Sequence, residues 1–140
     1  MKILLCVDGS TYTKKMLDYL SAHPELLGAQ HAYTALTVQP LLPSRARAAV
    51  GKEVVAQYYE EEIAAILGPV RESLQLRGVP AQYVSKIGPV ADNIIQEAQS
   101  GAFDLIVMGT HGHGALGRLV MGSVSTQVLA GCSIPVLLVR

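Results

Sequence analysis

The chain has 140 residues, of which half are hydrophobic and 16% are charged, and its 11 basic residues balance its 11 acidic ones. Such a composition excludes a disordered chain, and the length suits one domain over residues 1–140 with a substantial core. The balanced charge provides no field for nucleic acid or an anionic membrane, so neither is expected as a partner. No apolar run reaches transmembrane length and no signal peptide is visible. Together with two isolated cysteines, Cys6 and Cys132, this predicts a cytoplasmic protein with reduced thiols.

The first half of the chain alternates between strand and helix signals. Residues 3–7 form an apolar run typical of a strand that is buried on both faces. Asp8-Gly9-Ser10 ends this strand, and Ser10 or Thr11 can cap a helix whose inner face carries Met16, Leu17 and Leu20. Residues 32–38 are predicted as a second strand and residues 39–52 as a loop. Apolar residues then recur at steps of three and four from 55 to 74, which indicates a long helix that Gly68-Pro69 should kink or split.

The second half repeats the alternation. Residues 81–86 are a weaker third strand, and Gly88-Pro89 begins a helix with an inner face formed by Val90, Ile94, Ile95 and Ala98. Residues 104–108 and 134–139 are the fourth and fifth strands. The pattern predicts an α/β fold, a single doubly wound five-stranded parallel sheet in the order 3-2-1-4-5, with helices on both faces. Ligands bind such sheets where the winding reverses, which here lies between strands one and four.

A glycine-rich stretch, VMGTHGHGALGRLVMGS, occupies residues 107–123 between strand four and the next helix. Glycines let backbone N–H groups approach an anion closely, and a helix N-terminus adds a favourable dipole. The stretch therefore predicts phosphate binding. Its sequence matches the Gly-x-Gly-x-x-Gly fingerprint of dinucleotide-binding proteins. That fingerprint follows the first strand, however, whereas this stretch follows the fourth, and no acidic residue lies downstream to hold a ribose. It also lacks the lysine and hydroxyl of a P-loop. A flavin site is disfavoured because the chain has no Trp and one Phe.

The spacing Gly109-x2-Gly112-x9-Gly122-Ser123 resembles the ATP-binding motif of the universal stress protein family. The resemblance extends over the whole chain, from the strand that ends at Asp8 to the closing Ile134-Pro135-Val136-Leu137-Leu138-Val139. It implies the Rossmann-like, adenine nucleotide alpha hydrolase-like fold of that family and places this sequence in its ATP-binding branch. A homodimer paired through the apolar C-terminal strand is expected on the same grounds, because a bare sheet edge needs to be covered.

The resemblance also implies a role for each site residue. The phosphates of ATP, ADP or AMP would be held by the backbone of Gly109, Gly112 and Gly122 and by Ser123 and Ser125, with Val124 between them. Asp8 would accept the ribose hydroxyls, and the backbone of Val38 would meet the adenine edge. Val7 and Met108 would line the base pocket. Any Mg²⁺ would bind through the phosphates. Arg45, Arg47, Lys52 and Arg118 are either solvated charges or phosphate contacts.

No catalytic residue and no metal ligand are assigned. His111 and His113 are two residues apart but lack placed third and fourth ligands for zinc. Ser10, Asp8 and His111 could be written as a triad, but there is no Gly-x-Ser-x-Gly elbow, and Asp8 can equally cap the first helix. The favoured hypothesis is a nucleotide-binding regulatory module of the stress response with little or no hydrolysis. The alternatives are a slow adenosine-nucleotide hydrolase or transferase, and a structural dimer with an empty cleft.

Overall fold

A computed structural model describes residues 1–28, 30–113 and 121–140 of the chain. Five strands form one parallel sheet in the order β3-β2-β1-β4-β5, which confirms the predicted fold class and strand order. Their bounds are β1 Lys2–Cys6, β2 Ala32–Gln39, β3 Ala81–Ile87, β4 Leu105–Gly109 and β5 Val136–Val139. In this register Cys6 lies beside Leu36 of β2, and Leu5 lies beside Val107 of β4.

Five helices accompany the sheet in the described part of the chain. They are α1 Thr11–Ser21, α2 Ser44–Val50, α3 Lys52–Leu76, α4 Val90–Ser100 and α5 Ser123–Gly131. The prediction of a loop over residues 39–52 was wrong, because α2 occupies half of this stretch. None of the seven side chains of α2 is buried, so the helix leaves no hydrophobic periodicity in the sequence.

The helix α3 runs without a break through Pro69, so the predicted split of this helix was wrong. Pro69 is exposed, whereas its neighbours Leu67 and Val70 are buried in the core. A proline inside a helix costs about 3 kcal/mol. Burying two aliphatic side chains contributes roughly 1.5–3 kcal/mol each, which outweighs that cost.

The two faces of the sheet bury separate cores. Ile3 and Leu5 of β1 point to one face, where they pack with residues of α1 and α3. Leu4 points to the other face, where Ile94 of α4 and Val128 of α5 cover it. Because both faces are covered, β1 is a continuous apolar run.

The fifth strand is two residues shorter than predicted. Ile134 donates its N–H to the Cys132 sulfur, at 3.4 Å, rather than to β4. Pro135 has no N–H and joins the sheet only through its carbonyl, which accepts from Ile106 at 2.9 Å. Within the described residues, no helix combines the length and apolar character needed to cross a membrane.

Candidate functional site

A cavity of about 610 Å³ opens at the carboxyl ends of β1, β2 and β4, where the winding of the sheet reverses. All ten residues that the sequence suggested for a nucleotide site line it: Val7, Asp8, Val38, Met108, Gly109, Gly112, Gly122, Ser123, Val124 and Ser125. The structure therefore brings together residues that are as far as 118 positions apart in the chain, from Val7 to Ser125.

The carboxylate of Asp8 is fixed by the residues that follow it. Its Oδ1 atom accepts hydrogen bonds from the Ser10 N–H and the Thr13 hydroxyl, both at 2.9 Å. The Asp8 N–H in turn donates to the Thr13 Oγ1 at 3.0 Å. Ser10 occupies the N-cap position of α1 but makes no side-chain capping bond, so the predicted cap by its hydroxyl is absent. With Oδ1 held, the second oxygen of Asp8 faces Gly112 in the loop that follows β4, here called the glycine loop.

Gly112 lies beside that second oxygen and leaves no room for a side chain. A Cβ atom added at Gly112 would lie 2.5 Å from the Asp8 Oδ2, well inside van der Waals contact. A side chain at position 112 would therefore displace the carboxylate. Glycine at this position allows the β1 and β4 loops to meet.

The backbone of Val38 faces the gap beyond the end of β1. The Leu36 carbonyl accepts a hydrogen bond from the N–H of Val7, which follows β1. The Gln39 carbonyl accepts one from the N–H of Gly88, which follows β3. Because backbone groups alternate in direction along a strand, the N–H and C=O of Val38 point to the β1 side. The strand β1 ends at Cys6, so these two groups are directed towards the cavity.

The start of α5 forms the opposite side of the cavity. Gly122 is its N-cap residue, and its N–H donates to the Thr110 carbonyl at 2.7 Å. The buried Ser125 hydroxyl donates to the same carbonyl at 2.8 Å. Both protons are therefore engaged in hydrogen bonds within the protein. The N–H groups of Ser123, Val124 and Ser125 belong to the first turn, which has no intrahelical acceptor for them.

Both histidines of the glycine loop have contacts within the protein. The Nε2 atom of His113 lies 2.8 Å from the Asp8 backbone oxygen. The Nδ1 atom of His111 lies 2.9 Å from the Thr110 hydroxyl, and its ring is 4.9 Å from the Tyr12 ring. The described residues hold no group of three or more His, Cys, Asp or Glu side chains that could bind a metal.

Several lining residues escaped the sequence analysis. Glu62, Ala65 and Ile66 of α3 line the cavity, as do Val90 and Ile94 of α4. Helical periodicity identifies a buried face of these helices but does not tell which end of the sheet that face reaches. Thr37, next to the suggested Val38, also lines the cavity. Because β2 also contains Thr34, the residue type alone did not distinguish Thr37 as a lining residue.

The basic residues suggested as phosphate contacts do not line the cavity where the structure describes them. Arg45 and Arg47 lie on α2 and Lys52 begins α3, and none of these three lines the cavity. Gly114, Gly117 and Arg118 lie outside the described residues. Cys6 lines the cavity, but its burial raises the pKa of its thiol to about 12, so it is protonated at neutral pH and unsuited to act as a nucleophile.

Comparison with known proteins agrees with this architecture. A sequence model of the universal stress protein family matches residues 1–140. The "Universal stress protein in QAH/OAS sulfhydrylase 3′ region" of Thermus aquaticus is 36% identical over 143 residues, which cover 99% of this chain and 97% of the relative.

Solved structures share the fold. A universal stress protein crystallised in complex with cAMP is 22% identical with a TM-score of 0.72, covering 100% of this chain and 97% of that one. A universal stress protein family protein of Arabidopsis thaliana, crystallised with AMP, is 17% identical with a TM-score of 0.70. The match covers 99% of this chain and 90% of that one. Since the family match spans the whole sequence, this chain belongs to the universal stress protein family.

Proposed function

We propose that this protein binds ATP, or another adenine nucleotide, in the cavity at the β1/β4 switch and acts as a regulatory module of the stress response. The observation that carries the proposal is the convergence of all ten suggested residues on one cavity. Two proteins with the same fold bind adenine nucleotides, one cAMP and the other AMP. The proposal includes a cytoplasmic location.

The strand order supports one orientation of the nucleotide. The phosphates would lie at the first turn of α5, where N–H groups without helical acceptors and the helix dipole favour an anion. The ribose would lie at Asp8, whose Oδ2 can accept a hydroxyl proton. The base would lie at Val38, whose N–H and C=O can pair with its edge. Neighbouring strands are about 4.8 Å apart, so β2 is about 10 Å from β4, which leaves room for the sugar between base and phosphates.

The residues present suit binding better than hydrolysis. Among the described lining residues the acids are Asp8 and Glu62, and Lys and Arg are absent. Asp8 is already held by Ser10 and Thr13 in a position suited to the sugar. Phosphoryl transfer needs cationic groups on the phosphates and a placed base for the attacking water. We therefore expect little or no turnover, with Mg²⁺, where it is present, bound through the phosphates.

Titration calorimetry with ATP, ADP, AMP and GTP, combined with an ATP turnover assay, tests the proposal. The matched variants are Asp8→Asn and Asp18→Asn. The first retains an oxygen for Ser10 and Thr13 but replaces the ribose acceptor by an NH₂ donor, and should weaken ATP binding about tenfold or more. The second changes an exposed carboxylate that pairs with Lys14 on α1, and should leave binding unchanged.

Three results would contradict the proposal. Absence of adenine-nucleotide binding by the wild-type protein would exclude it outright. Equal affinity of Asp8→Asn and wild type would remove the ribose role of Asp8. Several turnovers per second, abolished by one substitution in the cavity, would favour the alternative of a hydrolase or transferase.

A further inference from the structure

Thr37 has a buried hydroxyl that the fold leaves without a partner. Its residue is 1% exposed, and Oγ1 makes no hydrogen bond with any of the described residues. A buried hydroxyl without a partner destabilises a protein, so such groups are rare unless another component satisfies them. The Ser10 hydroxyl is the second such group in the described part of the chain. Thr37 lines the cavity, whereas Ser10 does not.

The position of Thr37 is at the base end of the cavity. It precedes Val38 in β2, two strands away from the glycine loop at the end of β4. Side chains alternate along a strand, so Thr37 points to the face that carries Ala35 and the helices α1 and α3. Ile66 of α3 lines the cavity on that face and provides an apolar wall for a planar ring.

We propose that the Thr37 hydroxyl is a specificity-determining group that hydrogen-bonds a polar atom of the adenine ring. This inference rests on the proposed adenine-nucleotide function. A hydroxyl can donate to a ring nitrogen or accept from the 6-amino group, so it suits a base edge that presents both. The bond would satisfy Oγ1 only when the ligand is bound. Its contribution then appears in affinity rather than in the stability of the free protein.

Thr37→Val tests the role of the hydroxyl because valine keeps the shape and removes only the polar atom. Thr34→Val is the matched control, since it makes the same change in the same strand at a buried residue that does not line the cavity. We expect Thr37→Val to weaken ATP binding about fivefold to tenfold. Its unfolding temperature should equal or exceed that of the wild type, because no bond is lost in the free protein. Thr34→Val should bind ATP as the wild type does.

The contacted atom is found with ATP analogues that each lack one polar group of the ring, the 6-amino group, N1, N3 or N7. For one of these the wild type should lose about fivefold in affinity, and Thr37→Val should lose much less. The 2′-deoxy analogue should lose the same affinity for Thr37→Val as for the wild type, because it changes the sugar and not the ring.

The outcomes separate this inference from the function on which it rests. A wild-type protein that does not bind ATP removes both. Three results would overturn the role of Thr37 and leave the proposed function intact. The first is normal ATP binding by Thr37→Val. The second is that every ring analogue loses the same affinity in Thr37→Val as in the wild type, and the third is that 2′-deoxy-ATP loses less in Thr37→Val. A clear loss of stability in Thr37→Val would show that the hydroxyl is already bonded in the free protein, and would also overturn it.

Discussion

The imidazole of His113 is bonded to the backbone oxygen of Asp8, with its Nε2 atom 2.8 Å away. This contact spans 105 residues and joins the glycine loop after β4 to the turn after β1. Because a carbonyl can only accept, Nε2 must carry the proton. The bond therefore fixes the distance between the two loops that supply the suggested phosphate and ribose contacts.

Replacing His113 should loosen this junction. We expect His113→Ala to lower the free energy of unfolding by about 1 kcal/mol, the usual net value of one hydrogen bond, and to weaken ATP binding. Urea denaturation and calorimetry measure the two effects. His23→Ala is the control, since His23 bonds a carbonyl of its own helix, that of Tyr19, at 2.7 Å. Unchanged ATP affinity in His113→Ala would show that the junction does not position the site.

Two glycines of the motif should respond differently to alanine. Among the described residues, a Cβ at Gly112 meets only the Asp8 carboxylate. At Gly109 it would lie 2.6 Å from the Tyr12 Cβ, which the backbone holds in place. Gly112→Ala should displace Asp8 and weaken ATP binding while the protein stays folded. Gly109→Ala should lower the free energy of unfolding by about 1–3 kcal/mol through overpacking. Thermal unfolding and calorimetry of both variants check this. Strong ATP binding by Gly112→Ala would contradict a role for the Asp8 carboxylate.

The Cys6 thiol should make stability fall at alkaline pH. Burial raises its pKa from an ordinary 9.0 to about 12. Below pH 9 the thiol is protonated in both states, and its contribution to stability is fully present. Between pH 9 and 12 the unfolded chain releases the proton that the folded chain retains, so stability is lost as pH rises. The folding equilibrium constant should change by at most about tenfold per pH unit from this group.

The difference between wild type and Cys6→Ala isolates this effect. Tyr33 and Tyr83, whose pKa values are also raised by desolvation, titrate in both proteins. Denaturant unfolding at pH 8 to 11 should show a steeper decline for the wild type. Cys132→Ala, which keeps Cys6, should retain the wild-type slope. Parallel curves for wild type and Cys6→Ala would mean that the thiol is hydrated in the folded protein.

The parts of the fold that bury apolar side chains were predictable from sequence. The strands β1 and β4 are recognisable as apolar runs because both faces of the sheet are covered. The family resemblance based on the glycine spacing suggested ten residues, and these ten line the cavity. The helix α2 was not predictable by periodicity, since it buries nothing. Its only signals are Pro43 before it and Gly51 after it, which also suit a loop.

The missed parts of the cavity depend on tertiary placement. Whether Glu62 and Ile66 reach the carboxyl end of the sheet is decided by where α3 crosses it, and the sequence of one helix does not contain that information. The same holds for Thr37, because a threonine in a strand is ordinary until its neighbours leave its hydroxyl without a partner. The continuity of α3 through Pro69 likewise depends on the core that Leu67 and Val70 enter.

The strand β5 lies at the edge of the sheet, next to β4. The carbonyls of Pro135 and Val139 accept from Ile106 and Thr110, so the backbone groups of these residues face β4. By alternation, the N–H and C=O groups of Val136 and Leu138 face outward. Both side chains are apolar and half-buried in the single chain. An apolar edge with open backbone groups is a template for another strand.

We expect two copies to pair through β5 in antiparallel fashion about a twofold axis, which satisfies the outward groups of both strands at once. Val136→Lys or Leu138→Asp should raise the monomer fraction in analytical ultracentrifugation. In a twofold pair, each new charge lies close to the same charge on the other copy, and the two repel each other. Circular dichroism of the same variants must show a folded chain. Ile87→Lys is the control, since it adds a charge at an exposed residue of β3, the opposite edge. The pairing is refuted if the wild-type protein sediments as a monomer at micromolar concentration, or if Ile87→Lys dissociates a dimer that Val136→Lys leaves intact.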